Sequence, residues 1–446
     1  MKAGFRHVAF LGVLALWVLG PEAALAHALS QTYESRLPLF VYLAGAGFAV
    51  ALSFAFVLLR DLRFEPSPAG QITQLPRPLA IALRGIGLVG WMWILAQGLA
   101  GGSSSADVAI LFIWIYTWVG VALVSAFVGP IWFWLDPFST IHDIGAWLLT
   151  RLGVRDWEAA EYPDWLGKWP AIVGFVFVVW LELALKGGQG RTLFIAFLGY
   201  SALTLAMMAQ FGRDTWRSNG DVFGVWFRLI GRLAPFGLVD ETGRLQRRPF
   251  ASGLLEPGWQ VTDIVLIGLG TGAILFDGLS QTTPWFEVFG VPAVPVATVQ
   301  LFGFLAVIVA AALLVTRFVG IAGAGAGLLP IAIGYLLAHY LTYLFISGQL
   351  IVVAISDPLQ QGADIFGTAF YEPAAYFLQP GLVWTIQLAS VVGGHMIGAW
   401  AGHLASASEA GHDVRLRQVP LAAVMVFLTT LTLWSLGQSI VQASQG

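Results

Sequence analysis

The chain has 446 residues and a formal net charge of −3; 58% of its residues are hydrophobic and only 11% are charged. A soluble globular domain carries about 25% charged residues, so there is too little charge here to cover a water-exposed surface. A water-soluble enzyme, a disordered chain and a nucleic-acid-binding protein are excluded, and with no cysteine so are disulfides, thiolate metal centres and a Cys nucleophile.

The first segment reads as a secretory signal. Lys2 and Arg6 form a positive start, Val8 to Gly20 an apolar run too short to span a bilayer comfortably, and Ala24-Leu25-Ala26 a small-x-small cleavage pattern. This predicts a signal peptide over 1–26 and a mature N-terminus at His27, whose α-amine and imidazole together can chelate a metal.

Residues 27–446 then read as one all-α domain, a polytopic transmembrane helical bundle. Ten apolar stretches approach the ~20 residues needed to cross a ~30 Å hydrocarbon core: about 37–59, 79–100, 108–130, 170–186, 192–211, 260–277, 295–316, 328–352, 382–404 and 420–439. With the mature N-terminus outside, seventeen Lys and Arg fall in loops on the inner side and three on the outer, namely Arg36, Lys186 and Arg191. That is the positive-inside bias of a multi-pass protein with both ends outside, and it predicts the bacterial inner membrane. The main loops are 212–259 inside and 353–381 outside. Ser139 to Gly153 and Asp221 to Leu233 have apolar residues at helical spacing; they read first as ordinary amphipathic connectors, and they also suit helices lying in the headgroup layer.

No HExxH, GxSxG, Walker loop or strand-linked GxGxxG occurs in the sequence. Ionisable residues inside the bilayer are costly and mark functional sites. His339 is the twelfth residue of its predicted span and His395 the fourteenth of an oppositely directed one, which predicts two imidazoles meeting near mid-bilayer, with Tyr335 and Tyr343 on the His339 face. Such a pair suits a helix–helix hydrogen bond, a metal site for zinc or a similar divalent ion, bis-histidine haem ligation, or a protonatable pair in a transport path. Carboxylates gather towards the outer side: Glu182, Asp277, Asp357, Asp364 and Glu372. The expected metal ligands are His339, His395 and His27, with Asp277 and Asp357 as ligand or base. The two acids are expected ~15 Å or more above the imidazoles.

Leu275-Phe276-Asp277-Gly278-Leu279-Ser280, Ala338-His339-Tyr340, Ser356-Asp357-Pro358 and Gly394-His395, with the 224–236 segment, make the chain similar to a family of bacterial integral membrane proteins known as fenitrothion hydrolases. The resemblance is strongest over 220–405. It implies a membrane-bound hydrolase of organophosphorus triesters that releases a nitrophenol. The expected partners are then the lipid bilayer and a small apolar substrate. The alternatives are a multi-pass transporter, or a haem- or copper-holding subunit that works with a second membrane subunit.

Overall fold

The computed structural model describes residues 39–59, 70–101, 106–153, 158–185, 190–410 and 416–438; the expected signal peptide and His27 lie outside them. The fold is all-α, and among the described residues seven helices are long and apolar enough to cross a membrane. Apolar runs of this length fold as helices because a helix satisfies every backbone N–H and C=O within the segment.

In chain order the elements are α1 (Leu39–Leu59), β1 (Ile72–Gln74), α2 (Arg77–Ala100), α3 (Val108–Phe127), α4 (Trp132–Leu135), α5 (Pro137–Arg151), α6 (Trp169–Leu183), α7 (Gly190–Phe211), α8 (Arg213–Asn219) and α9 (Val222–Ile230). There follow β2 (Phe236–Leu238), β3 (Arg244–Arg247), α10 (Val261–Ser280), α11 (Thr283–Phe289), α12 (Val294–Ile346), α13 (Ile351–Ser356), α14 (Pro380–Ala410) and α15 (Val419–Leu436). Asp107 caps α3, its side chain accepting from Ala109 N at 2.8 Å. Gln260 and Asp263 form a capping box at the start of α10, and Lys168 holds the same Asp263 at 2.7 Å.

α12 is two helices in one. Gly320 (φ 77°) interrupts it, and the neighbours show that the chain turns back there. Going up α10, Gly268 faces Val309 and Gly272 faces Leu305, so 294–319 runs antiparallel to α10. At the bottom, Trp259 faces Gly325, and at the top Gly278 faces Tyr335 and His339, so 321–346 runs parallel to α10. A positive φ suits glycine, which has no Cβ to clash.

The second half of α12 packs along α14 by a seam of glycines. A Cβ added at Gly398 would sit 2.3 Å from Gly327 O, one at Gly394 2.6 Å from Pro330 O, and one at Gly334 2.4 Å from Ser390 O. This small-residue spacing lets two helix backbones touch inside a membrane. The Gly-Ala run at 322–327 is thus packing surface, and the break lies just before it.

The arginine-rich loops gather at one end. β3 pairs antiparallel with β1 (Ile72 opposite Gln246) and with β2 (Phe236 opposite Arg247), which ties the segment before α2 to the long 212–259 loop. An ion network runs Arg84–Asp143–Arg213–Asp214–Arg217–Glu241–Arg228 across α2, α5, α8, α9 and the β2–β3 turn. The segments predicted to share a side therefore do meet. Of these two segments, α5 exposes Ile144, Trp147, Leu148 and Leu149, as the headgroup-layer reading requires. α9 does not fit that reading: Val222, Phe223, Val225, Trp226, Phe227, Leu229 and Ile230 are all buried, and its apolar residues face the bundle.

Candidate functional site

Four helices bring polar side chains together near the end opposite the arginines. α10 carries Asp277 one turn from its terminus, the second half of α12 carries Tyr335, His339, Tyr340 and Tyr343, α6 carries Glu182 near its end, and α15 carries Ser435. His339 Nε2 lies 2.9 Å from Asp277 Oδ2, and the Tyr340 hydroxyl donates to the same oxygen at 2.9 Å. Gln281, one turn on from Asp277, donates to Oδ1 at 2.6 Å. Asp277 thus gathers an imidazole, a phenol and an amide.

The residues around this centre leave room for it. A Cβ at Gly278 would stand 2.6 Å from the Tyr335 hydroxyl, 2.8 Å from Ser435 Oγ and 3.5 Å from His339 Cε1, so only glycine allows those three groups to converge. The Tyr335 and Tyr340 rings flank the imidazole, with centroids 5.8 and 4.7 Å away. Glu182 is close enough to Asp277, Tyr340 and Tyr343 for its charge to act on them. Asp277 is buried, and His339, with 11% of its side chain exposed, is the more accessible of the two.

His395 does not join this group. Its Nδ1 engages the carbonyl of Val391 at 2.8 Å, and the ring lies against the main chain at Met425 of α15. The residue of α14 level with His339 is Gln387, which donates to Ala338 O at 2.9 Å. His395 stands eight residues further along, ~12 Å deeper at ~1.5 Å per residue. The predicted meeting of two imidazoles therefore gives way to an imidazole–carboxylate pair. The error arose from the span boundary: 321–346 begins one to two turns before 328, which moves His339 towards the outer end and level with Asp277. The expected ~15 Å gap between acid and imidazole disappears for the same reason.

Asp357 lies elsewhere and closes a turn, its carboxylate accepting from Gln361 N and Gly362 N at 2.9 and 2.8 Å. Asp364 accepts from Ser356 Oγ and Ala369 N in the same loop. His403 pairs with Gln418. Among the described residues no group of three or more His, Asp or Glu is arranged to hold a metal. Asp277 and His339 offer two donors where zinc takes at least three protein ligands, so the chemistry this pair offers on its own is proton transfer.

A second set of buried acids sits at the arginine-rich end. Asp221 accepts from Gly224 N at 2.7 Å, from Trp132 Nε1 and from the Tyr200 hydroxyl. Asp136 caps α5 through Phe138 N and Ser139. Burial, reinforced by the neighbouring Asp221 charge, pushes the Asp136 carboxyl up to about 7. Burial also disfavours the Asp143 charge, but His142, Arg213 and Arg84 outweigh it and hold that carboxyl at about 2.

From the sequence Glu182 falls on the outer side without being joined to the site, Tyr340 figures only as the neighbour of His339 in a motif, and Gln281 does not figure at all. Gln281 was legible as the i+4 partner of Asp277; Tyr340 was not, because adjacent helical residues normally point apart. Comparison of the chain with protein-family models, curated proteins and solved structures found no match in any of the three.

Proposed function

We propose that the protein is a ten-pass, inner-membrane hydrolase of small apolar organophosphorus triesters, with His339 as general base and Asp277 as the residue that orients it. The ten crossings are α1, α2, α3, α6, α7, α10, the two halves of α12, α14 and α15, with the arginine-rich end in the cytoplasm. The observation that carries the reading is the 2.9 Å contact between His339 Nε2 and Asp277 Oδ2. The imidazole, oriented by the Asp277 carboxylate, is the group that takes a proton from water. The water oxygen bonds to phosphorus, the bond from phosphorus to the aryl oxygen breaks, and the nitrophenolate leaves. An apolar triester reaches such a site from the lipid, where it partitions.

The test uses purified protein in lipid nanodiscs with a nitrophenyl phosphotriester. Wild type is expected to release nitrophenol, and His339→Gln and Asp277→Asn to lose ~100-fold or more of that rate with unchanged helix content. No release by wild type, or full release by both variants, overturns the proposal.

The Glu182 carboxyl beside Asp277 favours a second reading, a proton-coupled transporter, because a relay uses a second acid and a hydrolytic dyad does not. Proton flux in proteoliposomes that is lost in Glu182→Gln, without any nitrophenol release, would establish that reading instead.

A further inference from the structure

Away from the acid cluster, α2, α3, α6 and α7 enclose a cavity of about 180 Å³. On α2 its lining runs from Ile86 to Ile94, and on α7 from Tyr200 to Leu193, so it extends ~12 Å parallel to the helices at ~1.5 Å per residue. It is a slender slot rather than a round chamber. One wall is the unusual part of α3, where Leu111–Val121 is a π-helix; π-turns are rare and concentrate at functional sites.

The slot opens sideways. Ile86 (56% exposed) and Phe177 (46% exposed) line it and also stand on the outer surface beside Val89 and Val173, on apolar helices that face hydrocarbon. Of the three hydroxyls on its wall, those of Tyr116 and Tyr200 are already engaged, and the third is that of Thr117. Tyr200 donates to Asp221 and accepts from Val222 N at 3.1 Å, and Tyr116 donates to Gly348 O. The lining is otherwise apolar, so an occupant is predominantly apolar.

The charge lies at the foot of the slot. Arg84, two residues before Ile86, is 37% exposed and shares Asp143 with Arg213, which also pairs with Asp214; over the whole network four arginines meet three carboxylates.

We infer that this slot holds one acyl chain of an anionic phospholipid from the leaflet on the arginine-rich side, with the phosphate on Arg84. The slot's direction matches a chain lying along the membrane normal, its mouth opens on the hydrocarbon, and a basic residue waits at headgroup height. This does not depend on the hydrolase reading.

The experiment places the full chain in nanodiscs containing phosphatidylglycerol with a diazirine midway along one acyl chain, illuminates them and maps the labelled peptides. Label is expected within 111–121 and 193–200. It should be lost when the slot is filled from either wall by Ala196→Phe or Val178→Phe, two variants that do not share a folding risk. Replacing phosphatidylglycerol by a phosphatidylcholine probe should reduce the label about fivefold, the ~1 kcal/mol that one basic residue is worth near an anionic headgroup, and Arg84→Gln should abolish that difference. Label confined to outward residues such as Val173 and Ile195, or undiminished in both filled variants, overturns the inference. So does labelling of the slot by a small aryl diazirine but not by the lipid probe.

Discussion

The two ends of the bundle hold carboxylates in different ways, partly exposed acids among arginines at one and a buried acid among neutral or titratable groups at the other. At the arginine-rich end, Asp143, Asp214 and Glu241 each bridge two arginines, and the network joins five separate chain segments. At the other end Asp277 is met by an imidazole, a phenol and an amide, and the charge that acts on Glu182 is the like charge of Asp277. Matched charges fix segments in place. Acids held by neutral or titratable partners retain proton chemistry, at a cost in a medium that disfavours charge. The arginine network is architecture and the Asp277 group is the candidate site, while the buried Asp136 and Asp221 at the arginine-rich end serve as caps of α5 and α9.

The sharpest way to break this contrast is to neutralise one acid at each end. Asp277→Asn keeps the side chain's shape and an acceptor for Tyr340, so the melting midpoint in detergent should hold or rise while turnover falls ~100-fold or more. Arg217→Ala should do the reverse. Its guanidinium is 3% exposed and serves both Asp214 and Glu241, and it covers the Phe133 ring at 4.3 Å. Its loss should cost about 2 kcal/mol, less than a fully buried pair because both acids are partly exposed, and should leave turnover per folded molecule unchanged. If Asp277→Asn unfolds the protein, or Arg217→Ala leaves its melting midpoint in place, the division fails.

How far the sequence reveals these two regions follows from what each depends on. The gathering of the arginines was legible because the positive-inside bias is carried by loop composition, and the β1–β3 pairing then joins the loops that composition assigned to one side. The helices were legible from apolar length. The site was half legible: Asp277 and His339 were both singled out, yet assigned to different depths, because hydropathy does not mark where 321–346 begins. Gly320 is one glycine among many, and only its φ and the reversed neighbours of Gly272 and Gly278 show the turn. On spacing alone α9 suits a connector or a surface helix, because amphipathic spacing records which residues are apolar, and not whether lipid or protein covers them.

Asp136 makes the contrast sensitive to pH. Its carboxyl is raised to about 7 in the fold against an ordinary value of ~3.9, so between those values the folded state holds a proton that the unfolded chain has released. Stability then declines as pH rises through that window and levels off above about 7. Asp143, held at about 2, has the opposite sign: its contribution is present above its ordinary value and is lost only on acidification towards 2. Wild-type melting midpoints should therefore fall by several degrees between pH 5 and 8, and Asp136→Asn, which still caps α5, should flatten that slope. An equal slope in the variant would show that another group carries it.

The smallest effect tests whether ion pairing or carbonyl capping does the work at the arginine-rich end. Arg248 donates to Gly231 O at 2.7 Å and to Ala234 O at 3.0 Å, just past the end of α9, and reaches Glu256 at 2.7 Å. Its guanidinium lies so close to Gly237 and Gly253 that a Cβ at either would stand within 3 Å of it. Glu256 is 52% exposed, so water screens that pair, and Glu256→Gln should change stability by at most about 0.5 kcal/mol. Arg248→Ala removes the donor to Ala234 O and one of the two donors to Gly231 O, which also accepts from Ala234 N, and should cost about 1–2 kcal/mol. Equal losses in the two variants would mean that the surface pair holds this corner, and that carbonyl capping contributes little there.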